Sequence, residues 1–392
     1  MKKHYQTETL IVGAGPAGLA VAGRLSKMGL PFLVLEKGDR IGASWHDHYE
    51  RLHLHTVKEH SDLPHDSMPE HYPVYVPRLD LIAYWEDYVR KMNISPLFGQ
   101  NVSKIRRENG GWITETDSGV FQSAQVVVAT GYNRVPNFPK WPGQESFRGT
   151  FIHSKDYRSA RPFAGQKVLI IGIGNTGAEL ALDLHEHGAT PYISVRSPVN
   201  FIRRDIGGRP AQRTAIILGK LPNAAYDFIA RLVQRLTVGD MSAYGLPKSP
   251  YAPSEQLRRF GKVPVIDIGT IDLIKQGHVK IMPDIQRFNE DSVRFADGRT
   301  ETFDAVIACT GYRARVEDFV ENGDRLLSDW GYPRSLWFDD PAFEGLYFCG
   351  FSIPLSGILR NIKMDSEAIA ERIGRRAGIP TNATTVSNTP QG

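Results

Sequence analysis

Two glycine triplets carry the clearest chemistry in this sequence. Gly13, Gly15 and Gly18 stand as G-x-G-x-x-G within "TLIVGAGPAGLAVAGRLSKMGLPFLVLEKGD", and Gly172, Gly174 and Gly177 repeat the spacing within "GQKVLIIGIGNTGAELALDLHEHGATPYISVRSPV". In such a triplet the first glycine makes a tight turn and the second lets the backbone approach a pyrophosphate at a helix N-terminus. The third lets the helix pack on its strand. The two segments close on opposite charges. Glu36 lies eighteen residues after Gly18, where an acid accepts hydrogen bonds from a ribose diol. Arg196 takes the corresponding place in the second segment, and a cation there suits a 2′-phosphate. Arg203 and Arg204 follow and could assist. The first site reads as FAD or NAD, the second as NADPH.

The elements needed to position these groups are legible around them. Residues 9–12 and 32–35 read as strands flanking a helix over 19–28 that stops at Gly29. Residues 167–171 and 192–195 flank a second helix over 178–187 that stops at Gly188. Each module is followed by an apolar strand ending in Thr-Gly-Tyr: "AQVVVATGY" to Tyr132 and "FDAVIACTGY" to Tyr312. Before each lies a turn-rich alternating stretch, 110–123 and 291–303, which predicts a small antiparallel element feeding back into a parallel sheet. The fold class expected is α/β, with two Rossmann-like dinucleotide-binding domains in a glutathione-reductase-like two-domain flavoprotein. The expected division is 1–157 and 313–392 for the FAD domain and 158–312 for an inserted NADPH domain, with a disordered tail from about 380.

Between the triplets stands "FRGTFIHSKDY", which is Phe147-x-Gly149-x-x-x-His153-x-x-x-Tyr157. This pattern resembles the signature of class B flavin-dependent monooxygenases. Tyr157 at its end resembles the N- and S-oxygenating and YUCCA-like branches, whereas the Baeyer–Villiger branch has tryptophan there. "RIGASWHDHYERLHLHT", "GIGNTGAELALDL", "FGKVPVIDIGTIDLIKQGHVKI", "IACTGYRA" and "YFCGFS" are similar to blocks of the YUCCA-like subgroup. The resemblance spans about residues 8–375. It implies an enzyme that takes FAD, NADPH and O2 and inserts one oxygen atom into a small organic substrate through a flavin C4a-(hydro)peroxide. Oxidative decarboxylation of indole-3-pyruvate to indole-3-acetate is the favoured reaction. N- or S-oxygenation and Baeyer–Villiger oxidation are the alternatives.

The resemblance also implies site residues. For FAD these are Gly13, Gly15, Pro16, Ala17, Gly18, Glu36, Lys37, Ser44, Trp45, Leu52, His53, Val102, Ala129, Thr130, Gly131, Tyr132, Gly350 and Leu359. For NADPH they are Gly172, Gly174, Asn175, Thr176, Gly177, Glu179, Arg196, Arg204, Thr310, Gly311 and Tyr312. No side-chain nucleophile is required, since the flavin carries the hard chemistry. Phe147 and Tyr157 are expected to anchor the linker in apolar pockets, Gly149 to give it backbone freedom, and His153 to bond across a domain boundary. Backbone N–H groups near Gly357 are expected to face the flavin. Residues 205–255 match the subgroup only loosely and are expected to shape the substrate entrance. Arg134, Arg203, Arg204, Arg209 and Arg313 are candidates for holding a substrate carboxylate.

Bulk properties narrow the alternatives. The 392 residues carry 47 basic and 43 acidic side chains, a net +4 that gives no case for nucleic acid. No run of eighteen apolar residues exists, so no membrane span is expected. The N-terminus does not resemble a signal peptide, and a cytoplasmic monomer or homodimer is expected. The only cysteines, Cys309 and Cys349, are forty residues apart, which argues against a disulfide reductase with its closely spaced redox pair. A non-catalytic nucleotide sensor is the remaining class. Among the histidines of 46–60, His46 and His48, or His53 and His55, at i,i+2 could share a strand face, but no nearby cysteine or H-x-x-x-H helix supports a metal site, so none is expected.

Overall fold

The structure, a computed structural model, describes residues 3–379. The expected disordered tail from about 380 lies outside the described residues. The chain forms two compact units. The first comprises residues up to 46, 56–135 and those from 312 on; the second comprises 47–55 and 136–311. The chain thus passes into the second unit at 136 rather than at 158. The reason is that the stretch between the triplets is not a linker: Thr150–His153 is a strand of the second unit's sheet.

The first unit is built on a six-stranded sheet. Lys3–Val12 (β1) runs ten residues, longer than the four expected. Its first half alternates in exposure and its second half is fully buried. The helix Pro16–Lys27 (α1) follows, with Gly15 as N-cap and Pro16 in its first turn, a position that suits proline because that N–H has no helical partner. Phe32–Leu35 (β2) pairs parallel with β1, Thr9 opposite Phe32. The short helix Ala43–His46 (α2) and the helix Arg78–Lys91 (α3) come next. Val102–Glu108 (β3), Gly111–Thr116 (β4) and Gly119–Val128 (β5) form the expected antiparallel element. The far half of β5 runs parallel between β1 and Leu346–Phe348. One strand therefore joins hairpin to parallel sheet. The helix Ile358–Arg376 packs on α1.

The second unit repeats the plan with one break. Outside both main sheets, Val135–Pro136 (β6) pairs with Tyr312–Arg313 in a two-stranded ribbon. Thr150–His153 (β7) is the edge strand of a five-stranded parallel sheet that also contains Lys167–Ile171 (β8) and Thr190–Ser194 (β9). Ala305–Ala308 lies between β7 and β8, paired parallel with both. The antiparallel element here is Ile285–Phe288, Ser292–Phe295 and Thr300–Thr302. Unlike β5, its last strand ends before the sheet strand begins. The helices are Asn175–Glu186 (α4), Ala211–Leu218 (α5), Asn223–Thr237 (α6), Pro253–Phe260 (α7) and the short Thr270–Lys275 (α8). Residues 205–255, which gave little sequence signal, hold most of α5–α7.

Gly149 has a different role from the one expected. Its φ is not in the left-handed region, and a Cβ there would lie 2.4 Å from the Asp304 carbonyl oxygen and 2.7 Å from the Phe147 ring. Close approach of β7 to its neighbour, not freedom, demands glycine. Phe147 packs with Phe151 and Phe288, at ring separations of 6.4 and 5.8 Å, which is the apolar anchor expected of it.

Candidate functional site

The two glycine turns are the same object built twice. A Cβ on Gly13 would sit 2.6 Å from the carbonyl oxygen of Ala129, and one on Gly172 would sit 2.8 Å from that of Cys309. A Cβ on Gly18 would meet the Gly13 oxygen at 1.9 Å, and one on Gly177 the Gly172 oxygen at 2.1 Å. These four glycines are dictated by the fold itself. Gly15 and Gly174 are not: a Cβ at either would meet nothing within 4 Å, and both have extended backbone that any residue adopts. Each stands at the N-cap of its helix, where backbone N–H groups lack helical partners and the dipole favours an anion. The space in front of these two glycines is a cradle that a side chain would fill, and it fits a phosphate approaching the backbone.

Around the first turn the groups are pre-set. Glu36 is 8% exposed; its carboxylate accepts from the Ala14 N–H and the Gly38 N–H, both at 2.8 Å. Those bonds fix the carboxylate at the end of β2 while each oxygen keeps acceptor capacity for a diol. The loop after α3 clamps the same segment: Glu36 N–H donates to Leu97, and Gln100 N–H donates to the Glu36 carbonyl. Thr130, just after β5, has a buried Oγ1 without a hydrogen-bond partner. Such an atom is costly unless something supplies a partner. Gly131 has φ +74, and Tyr132 is pushed up to about 12 by burial. Gly350 has φ +85, and its Cα approaches so closely that a Cβ would sit 2.8 Å from Ala17. Trp45 stands edge-on to Trp85 at 5.1 Å, and Arg78 donates to the Trp45 and His46 carbonyls at 3.1 and 2.6 Å. Pro16, Ala17 and Leu359 are at helix starts, Val102 begins β3, and Lys37 and Ser44 are exposed. Gly357 is the N-cap of the last helix, with φ 101. Leu52 and His53 fall in the second unit, Leu52 against its core and His53 Nδ1 2.6 Å from the Arg51 carbonyl. They do not group with the other residues expected at FAD.

The second turn keeps an exposed cation. Arg196 lies just past β9, exposed, with no ion pair among the described contacts. Arg203 is spoken for: it bonds Asp267 at 2.6 Å and Asp272 at 2.6 and 2.8 Å. The two carboxylates remove it from the cations expected to serve a ligand. Arg204 pairs with Asp205 at 3.1 Å. Asn175 spends its Oδ1 on the Ile266 N–H at 2.7 Å, tying the start of α4 to the Val265–Asp267 strand. Glu179 is buried, its carboxylate 2.6 Å from His55 Nε2, although that ring nitrogen does not point along a good hydrogen bond. Thr176 is half-buried. Thr310, the counterpart of Thr130, differs from it. Its hydroxyl donates to the Asn137 carbonyl, and Asn137 bonds back to Thr310 and Gly311. The repeat is open at one threonine and closed at the other. Tyr312 begins the return into the first unit.

Of the remaining carboxylate-binding candidates, Arg134 is held by Asp318 at 3.3 Å and stacks over Phe319. Arg209 and Arg313 are exposed and have no ion pair among the described contacts. The sequence reading missed Arg78, Asn137 and the Glu36 clamp. The apolar spacing Leu81, Ile82, Trp85, Tyr88 was a signal for α3, and hence for Arg78 at its start.

His153 and Tyr157 are both buried, at 3% and 1% exposure. His153 Nδ1 accepts from the Lys155 N–H at 3.1 Å, and the Gly311 backbone also bonds the ring. Both partners belong to the second unit, so these bonds do not cross a boundary. Burial lowers the His153 pKa below 6.5. The unfolded chain therefore takes up this proton at higher pH than the folded one. The stability tied to the neutral ring is present above pH 6.5 and is lost as pH falls from there through the folded value. Replacing His153→Gln should flatten the acid limb of a melting-temperature profile over that window; an unchanged limb would refute this.

The Tyr157 hydroxyl donates to Asp183 Oδ2 at 2.5 Å, and its ring stacks on Phe163 at 5.9 Å. Asp183 is on α4, so the end of the motif is bolted to the helix that starts at the second turn. Tyr157→Phe leaves a buried carboxylate short of a donor and should cost roughly 1.5–3 kcal/mol. A denaturant midpoint equal to that of the parent would show the bond to be idle.

Cys309 and Cys349 are unpaired, and burial pushes Cys309 up to about 12. Neither is a reactive thiolate. Among the described residues no three histidine, cysteine, aspartate or glutamate side chains gather as metal ligands, and no helix is long and apolar enough to cross a membrane.

Comparison with known proteins agrees with this geometry. Residues 10–206 match the family model described as pyridine nucleotide-disulphide oxidoreductase. The chain is 36% identical over 353 residues to indole-3-pyruvate monooxygenase YUCCA1 of Oryza sativa subsp. japonica, covering 88% of this chain and 86% of that protein. It is 36% identical to the probable indole-3-pyruvate monooxygenase YUCCA1 of Arabidopsis thaliana, covering 93% and 89%. Among solved structures, a flavin-containing monooxygenase from Stenotrophomonas maltophilia superposes with TM-score 0.72 at 21% identity, covering 95% of this chain and 99% of that one. The bacillithiol disulfide reductase of Staphylococcus aureus superposes with TM-score 0.67 at 16% identity, covering 95% and 99%. The fold is thus shared by oxygenases and reductases, and sequence separates them: this chain belongs to the YUCCA family of flavin-dependent monooxygenases.

Proposed function

We propose that this protein is an NADPH-dependent, FAD-containing monooxygenase that converts indole-3-pyruvate to indole-3-acetate. The observation that carries the substrate is the 36% identity, over 88% of the chain, to a protein named for that reaction. The cofactors rest on the doubled turn and its two open glycines. The reaction balances as indole-3-pyruvate, O2, NADPH and a proton giving indole-3-acetate, CO2, water and NADP+. When bound, FAD accepts the hydride from NADPH and activates O2 for transfer of one oxygen atom.

In this reading the first unit holds FAD. Gly15 and the start of α1 receive the pyrophosphate, Glu36 accepts from the ribose hydroxyls, and the Thr130 hydroxyl finds its missing partner on the cofactor. The second unit holds NADPH. Gly174 and the start of α4 receive its pyrophosphate, and Arg196 pairs with the 2′-phosphate. His153, Asn137 and Thr310 hold together the segments of the second unit next to the crossings at 135–136 and 311–312. Arg209 and Arg313 are the exposed cations left for a substrate carboxylate. The two unpaired cysteines suit a reducing compartment, and we place the protein in the cytoplasm.

The test is turnover of indole-3-pyruvate by purified protein with FAD, NADPH and O2, in the presence of catalase. Catalase is needed because leaked hydrogen peroxide decarboxylates 2-keto acids by itself. NADPH-dependent indole-3-acetate that survives catalase is the expected result. Acetate abolished by catalase would overturn the substrate and turn the search to amines, sulfides and ketones.

A further inference from the structure

The helix α6 is amphipathic with its apolar side turned outward. None of its residues is buried. Phe228, Leu232 and Leu236 follow one another at i, i+4 and i+8, so they stack along one face; they are 69%, 48% and 76% exposed. The orientation is fixed by the opposite side. Gln234 donates to Asn200 at 2.9 Å, and Asp227 is held by Arg258 at 2.5 Å. The approach to α6 continues the pattern, with Ile217 on α5 68% exposed and Leu221 in the turn 40% exposed. Five large apolar side chains in twenty residues thus face solvent, where a surface helix ordinarily puts polar ones.

The charges of this segment are one-sided. Residues 211–237 contain Arg213, Lys220, Arg231 and Arg235 against the single acid Asp227. Arg231 is neutralised by Glu255 at 2.8 Å. Lys220 and Arg235 are exposed and have no ion pair among the described contacts. On the helix wheel Arg235 borders the Phe228–Leu232–Leu236 stripe. Exposed Phe and Leu flanked by uncompensated Lys and Arg are what an anionic lipid surface takes up: the apolar side chains enter the acyl boundary and the cations meet the headgroups.

We propose that the outward face of α6 docks this protein on an anionic membrane surface, without crossing it. Two other occupants fit less well. A second copy in a two-fold contact would bring Lys220 and Arg235 toward the same cations of its mate. The C-terminal residues 380–392 carry no charged and no aromatic side chain, so they offer neither an acidic side chain nor a bulky anchor.

The experiment is flotation of the full-length, FAD-loaded protein with vesicles of phosphatidylcholine containing phosphatidylglycerol, and with phosphatidylcholine alone. Binding to the anionic vesicles that weakens as salt rises is the expected result, with little binding to the neutral ones. Phe228→Ser with Leu232→Ser should cut partitioning at least tenfold. Arg235→Ala should cut it about fivefold, the effect of one cation at such a surface. Both variants should keep bound FAD and the far-UV spectrum, because the replaced side chains are on the exposed face. Absence of binding to anionic vesicles would overturn the proposal, as would equal binding to neutral ones. So would a double variant that partitions like the parent. A parent that sediments as a dimer and a double variant that sediments as a monomer would assign the face to a second copy instead.

Discussion

Gly15→Val should yield a folded protein that has lost its yellow colour. The two halves of that expectation rest on different facts. The backbone of Gly15 has φ −85 and ψ −177, which valine adopts freely, and no atom lies within 4 Å of the position a Cβ would take. The chain therefore tolerates the change. A pyrophosphate lying against the backbone at that N-cap does not tolerate it, because three added carbon atoms occupy its path. An overlap costing on the order of 3 kcal/mol weakens FAD at least ~100-fold. The measurement is the flavin absorbance retained after gel filtration, beside a thermal melt of the apoprotein. Gly18→Ala is the contrasting variant. Its single methyl would stand 1.9 Å from the Gly13 oxygen, so it should damage the fold itself and lower the apoprotein melt. A Gly15→Val protein with full flavin occupancy would mean that the first turn is not the FAD site.

The comparison of Gly15 with Gly18 shows what was legible in the sequence. G-x-G-x-x-G with strand, helix, strand and acid in order was enough to locate both turns, because each element has its own local cause. The antiparallel element before each Thr-Gly-Tyr was readable from alternation and turn residues. The triplet's spacing also told which glycine faces a ligand and which two serve the fold; what it could not tell was what Gly13 and Gly172 meet, the carbonyls of Ala129 and Cys309, more than a hundred residues away. The motif from Phe147 to Tyr157 was visible as a pattern but mistaken for a linker. Its strand β7 is four residues long and recognisable only by its pairing with Ala305–Ala308. Arg203 looked as available as Arg196 because nothing local announces that Asp267 and Asp272 will converge on it. Helices α5–α7 were passed over although Phe228, Leu232 and Leu236 at i, i+4 and i+8 carry a helical period; what the sequence does not show is that this stripe faces outward instead of into a core.

Arg196→Ala should raise the KM for NADPH by roughly 30- to 100-fold and leave that for NADH nearly unchanged. A guanidinium paired with a phosphate contributes about 2–3 kcal/mol when it is not already committed. Arg196 meets that condition: it is exposed, stands at the position that follows the second strand of the module, and forms no ion pair among the described contacts. Arg203 fails it, since releasing Arg203 toward a ligand would abandon Asp267, whose side chain is fully buried. Arg203→Ala should accordingly lower stability through that uncompensated carboxylate and show no selective loss of NADPH over NADH. The 2′-phosphate is the sole difference between the two nucleotides, so the ratio of their kcat/KM values isolates the contact from any general damage to the turn. Arg196→Glu extends the test, because a carboxylate at that place repels the phosphate and accepts from a free ribose hydroxyl, which should turn the preference toward NADH. If Arg196→Ala weakens both nucleotides equally, the residue serves the turn and not the phosphate, and Arg204 becomes the cation to remove next.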